Sequence, residues 1–141
     1  LGANPDSMQV PWLIDVARRT GAARHIGPGE NVWSNVHIDD LVTLYELALE
    51  HAPPGAFYFA ENGENSMREV CEAIGRMLGH GSGPEEMSID EAAGYWGEGP
   101  ANDTMASNSR VRALRARREL AWAPSARGLI EEIERGCYAD G

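Results

Sequence analysis

Along the first part of the chain the apolar positions change period at each place where an element begins or ends. In QVPWLIDVARRTG (9–21), Trp12, Leu13, Val16 and Ala17 fall on one helical face. Pro11 suits the first helical position there, and Gly21 the position just past the end. A short strand at 24–26 and the turn GPGEN lead into VWSNVHIDD. Here Trp33, Asn35 and His37 alternate with Val32, Ser34, Val36 and Ile38, which is the period of a strand. Past Asp39 and Asp40 the period becomes helical through Leu41, Leu44, Tyr45, Ala48 and Leu49, until APPG stops it.

The remaining pattern predicts a compact aromatic strand at FYF (57–59). Ser66 and Glu69 have the form of a capping box opening a helix through Val70, Ile74, Met77 and Leu78 that ends at Gly79. Ser88 with Glu91 repeats the device. GHGSGPEE reads as a mobile loop, and residues 110–120 and 129–135 as the last helices, separated by WAPSA. The order predicts an α/β fold with too few strands for a sheet of its own.

At the joint between strand and helix, a carboxylate of Asp39 or Asp40 is placed to accept from free backbone N–H groups and to meet the positive end of the helix dipole, so both are read as structural caps. His37 and Asp39 share a face at i, i+2 spacing, which metal binding or acid/base work could use. No third ligand and no nucleophile is placed beside them, so neither a catalytic residue nor a metal ligand is assigned.

Composition narrows the partners. A net charge of −10 over 141 residues argues against nucleic acid and anionic membrane, which require a basic footprint. The cluster Arg110, Arg112, Arg115, Arg117 and Arg118 reads as a solvated helix face. Cys71 and Cys137 lack a CxxC or histidine partner, which suits idle thiols in a reducing cytoplasm. Neither Gly27–Gly29 nor Gly79–Gly81–Gly83 has the strand-to-helix context of a dinucleotide loop, and without lysine a Tyr-xxx-Lys pair is impossible.

Four stretches, VPWLIDVARRTG, WSNVHIDDLVTLYELALEHAP, FYFAENGENSMREVCEAIGRMLG and ARRELAWAP, cover nearly the whole chain in order. In them it resembles the C-terminal substrate-binding part of the extended short-chain dehydrogenase/reductases, the NAD-dependent epimerase/dehydratases. Ala121 departs from the family's usual Leu-Gly-Trp-x-Pro tail. The resemblance implies that residues 1–141 form the C-terminal helical substrate-binding lobe of an extended Rossmann-type fold. The family's glycine-rich loop and Tyr-xxx-Lys would then lie upstream of Leu1. NAD or NADP would belong to the full-length parent and none to this chain, and AFYFA would be the last strand on the parent's sheet.

Members acting on UDP-sugars carry an arginine where this chain has Trp33, Asn-Asn where it has Trp12 and Leu13, and a further arginine near Asn102. The resemblance therefore implies an NAD(P)-dependent epimerase/dehydratase-like oxidoreductase whose small-molecule substrate is not a nucleotide-diphosphate sugar. Trp12, Leu13, His25, Ile26 and Trp33 are the pocket candidates, with ordinary core packing as the competing explanation for each tryptophan. A non-catalytic dinucleotide sensor and an independent α/β interaction module are the other readings. An unpaired AFYFA edge would drive self-association of the chain.

Overall fold

The computed structural model describes residues 1, 2, 5 and 7–139. Helix α1 (Gln9–Thr20) buries Val10, Leu13, Ile14, Val16 and Ala17 and ends on Gly21, whose φ of 79° no β-carbon obstructs. Pro11 lies two residues inside α1 and not at its first position. In the first turn its missing N–H still costs no helical bond. Strand β1 (Arg24–Ile26) leads through a turn to β2 (Val32–Ser34), and α2 (Ile38–His51) follows the joint.

Strand β3 (Glu64–Ser66) passes directly into α3 (Met67–Met77), and β4 (Glu85–Met87) into α4 (Ile89–Trp96). Both capping boxes form as expected, at Ser66/Glu69 and Ser88/Glu91. A π-helical turn (Pro100–Met105), α5 (Leu114–Glu119) and α6 (Leu129–Arg135) complete the chain.

The strands make two small ladders. β1 pairs in parallel with β4, His25 opposite Glu86, and β2 pairs antiparallel with β3, Trp33 opposite Asn65. Three of the predicted elements differ. The segment read as a mobile loop ends in β4, a polar strand ordered by pairing with β1. The aromatic strand at 57–59 has no ladder among the described residues. Its burial nevertheless alternates, Tyr58 turned inward while Phe57 and Phe59 are 66% and 48% exposed. The helix read over 110–120 begins only at Leu114, because residues 109–113 run along β2, with Ser109 bridged to Trp33.

Most of the burial lies where α1, α3 and α6 converge on Leu13, Val70, Ile74, Met105 and Ile133. A smaller cluster gathers Leu44, Ala116, Leu120 and Trp122 between α2 and α5. The outward face of α2 is left open, with Val42, Tyr45 and Leu49 exposed beside Phe57 and Phe59. Among the described residues no helix is long and apolar enough to cross a membrane.

Candidate functional site

The residue that caps α2 is His37, not either aspartate. With φ −73° and ψ 147° it stands just outside the helix, and its Nδ1 accepts from the Asp39 N–H at 3.2 Å. That bond leaves the proton of a neutral His37 on Nε2, which faces Oε2 of the buried Glu132 at 3.8 Å. Burial pushes the Glu132 carboxyl up, but the Cys137 N–H together with the neighbouring His37 and Arg127 holds it below the usual range. Burial, with the Glu132 carboxylate beside it, pushes the Cys137 thiol up, away from nucleophilic reactivity.

Asp39 and Asp40 occupy the first turn of α2 in different ways. Asp39 is exposed. Asp40 is buried, and its carboxylate accepts from Ser125 N–H at 2.8 Å, Ala126 N–H at 3.2 Å and the Asn62 amide at 3.3 Å. Its carbonyl accepts from Trp122 Nε1 at 2.9 Å. The aspartate thus fastens the WAPSA tail to the start of α2.

The five pocket candidates separate. Leu13 is core, and Trp12 is half-buried on α1. Ile26 packs at the edge of the main core. His25 is 1% exposed. Its Nδ1 meets the Gly27 carbonyl at 2.8 Å, so the proton sits there and the buried Nε2 is left without a partner. Gly29 passes so close over the ring that a β-carbon would come within 2.8 Å of it. His25 is therefore held beneath the turn between β1 and β2.

Trp33 lies on a cleft of about 390 Å³, together with Gln9, Asp103, Thr104, Asn108 and Ser109. Its indole is fixed by donating Nε1–H to the Ser107 carbonyl at 3.0 Å. The Val32 N–H donates to Asn108 Oδ1 at 2.8 Å and the Ser34 N–H to the Ser109 carbonyl at 2.8 Å, which joins the 107–109 segment to β2. Two of the positions where UDP-sugar members carry arginine, Trp33 and the neighbourhood of Asn102, thus fall on or beside one cleft. The Asn-Asn position, Trp12–Leu13, belongs to α1 and its core.

The polar wall of this cleft was missed. The run NDTMASNS carries no local signal of it, because nothing in its spacing foretells a π-helical turn. Four of the five arginines in the cluster pair with acids. Arg110 and Arg112 grip Glu64, lowering its carboxyl to about 2, while Arg115 and Arg118 hold Glu119. No group of three or more His, Cys, Asp or Glu side chains arranged to hold a metal occurs among the described residues.

No protein-family model matches the chain. It is 30% identical to the oxidase ucsJ of an Acremonium species, over 86% of this chain and 40% of that protein. Across the curated relatives it matches, it spans only 40–44% of their length. Among solved structures it superposes on DesIV, a dTDP-glucose 4,6-dehydratase from Streptomyces venezuelae with NAD and TYD bound. The TM-score is 0.69 at 20% identity, over 99% of this chain and 40% of that one. It also superposes on RMD from Pseudomonas aeruginosa, complexed with NADPH, at TM-score 0.64 and 14% identity, over 99% of this chain and 44% of that one. The chain has the mixed α/β, helix-rich fold of one part of these dehydrogenase/reductase-type proteins.

Proposed function

We propose that this chain is the C-terminal, substrate-binding lobe of an NAD(P)-dependent epimerase/dehydratase-like oxidoreductase, and that the dinucleotide is held by the part of the parent it does not contain. The observation that carries the reading is the superposition of 99% of the chain on two fifths of a dehydratase that holds NAD. The open face formed by Val42, Tyr45, Leu49, Phe57 and Phe59 supports it, being the surface such a lobe would lay against the dinucleotide-binding half. NAD or NADP is the cofactor assigned to the parent, as neighbours hold one or the other.

In this reading the Trp33 cleft faces the substrate. An arginine fork would grip a diphosphate in two directions at once, whereas an indole offers one N–H, here already given to Ser107. With Asp103 on the same wall, a diphosphate would meet a like charge and no cation. The parent's substrate is therefore a small molecule without a nucleotide diphosphate.

Calorimetric titration tests the division of labour. The 141-residue chain should give no binding heat with NAD or NADP, because no glycine-rich loop opens a helix toward a pyrophosphate. A fusion to the part of the NAD-holding DesIV that this chain does not cover should bind NAD. A micromolar dissociation constant for the chain alone would overturn the assignment.

A further inference from the structure

The cleft's chemistry reaches beyond the exclusion of diphosphate. The side chains of Gln9, Asp103, Thr104 and Ser109 make no hydrogen bond to other described residues, and Asn108, which accepts from Val32, keeps its amide protons free. These groups offer neutral donors and acceptors around a single formal charge, the Asp103 carboxylate. The nearest arginine in sequence, Arg110, does not line the cleft and is held by Glu64 through two bonds of 3.0 and 2.7 Å, and Arg112 is held by the same carboxylate at 2.7 Å. Among the described residues no cation remains in the wall to receive an anion.

Resting on the reading of this cleft as the substrate side, we propose that it takes a ligand bearing a positively charged amine, received by the Asp103 carboxylate and the indole of Trp33. Two features of the cleft favour a cation there. The face of an indole carries negative electrostatic potential and attracts ammonium groups within about 6 Å. A carboxylate accepts from several ammonium protons and forms the stronger, charge-assisted kind of hydrogen bond. The chain's net charge of −10 adds a field of the same sign. Asp103 and Thr104 reach the wall on the π-helical turn, a backbone form that recurs at functional sites. Gln9, Asn108 and Ser109 are left to hold hydroxyl or carbonyl groups on the rest of the ligand.

The test follows the Trp33 indole N–H and the Asp103 and Thr104 amides by NMR, on the 141-residue chain and its Asp103→Asn variant. The probes, at millimolar concentration, are glucosamine and benzylamine as amines, N-acetylglucosamine as a neutral counterpart, and pyrophosphate as an anion. At least one amine should shift these signals, at least about tenfold more weakly in Asp103→Asn, while the other two probes leave them in place. If pyrophosphate or the neutral sugar shifts them as strongly as the amines, the cation inference fails and the cleft remains a binding site. If no probe moves them, the inference fails together with the assignment of the cleft to substrate.

Discussion

Replacing Asp40 with Ala removes the acceptor shared by Ser125 N–H, Ala126 N–H and the Asn62 amide. A hydrogen bond to a charged group contributes about 1.5–3 kcal/mol, and each buried N–H left unpaired costs a further share of its desolvation. Water reaches part of this site once the side chain is cut back, so the expected loss is about 3 kcal/mol, a large part of the roughly 5–15 kcal/mol of a domain. Asp40→Asn keeps an acceptor for the two backbone donors but turns an amide toward Asn62, for a loss of about 1–2 kcal/mol. Asp39, 80% exposed, interacts chiefly with the helix dipole, and its replacement by Ala should cost about 0.5 kcal/mol. Urea unfolding of the three variants measures the order, with midpoint shifts read at constant slope. A loss in Asp39→Ala equal to that in Asp40→Ala would refute the argument that Asp40 is the residue tying the tail to α2.

Glu64 is expected to titrate near 2 in the folded chain, held down by hydrogen bonds from Arg112 and Arg110, against an ordinary 4.5. Because the folded value is the lower one, its contribution is present above about pH 4.5 and lost as pH falls toward 2; an NMR titration midpoint near 4.5 would deny the pairing. Cys71, its thiol raised to about 12 by burial first and Glu72 second, should resist a disulfide reagent until the chain unfolds. Its folded value is raised, so its contribution is full below about 9 and lost as pH rises toward 12; rapid native labelling at neutral pH would contradict its burial. The chain should self-associate at micromolar concentration in sedimentation, and Phe57→Ser with Phe59→Ser should weaken this; a monomer indifferent to both changes would free that face of any docking role.

The parts legible in the sequence are those decided locally. The Ser66 and Ser88 capping boxes and the αL stop at Gly21 depend on residues within one turn, and α6 spans the residues its apolar spacing marks. β4 escaped because Glu85 and Glu86 are exposed acids whose extension is imposed by distant β1. The cap at the joint was misassigned because Asp outranks His as a cap in isolation, while here Asp40 is drawn away by Ser125 and Ala126. Of the cleft, Trp33 could be singled out through the resemblance. Asp103, Thr104 and Asn108 could not, since the π-helical turn and the pairing of 107–109 with β2 bring them there through long-range contacts.

The central claim is that the open face of α2 and residues 56–60 is laid against a dinucleotide-binding half, leaving the Trp33 cleft to the substrate. The decisive measurement is hydrogen exchange on the chain, alone and fused to the part of the NAD-holding DesIV that it does not cover. Exchange should slow in the fusion at residues 56–60, as that segment gains a sheet partner, with little change at Ser107 and Asn108. Unchanged exchange at 56–60, or protection confined to the cleft segment, would contradict it.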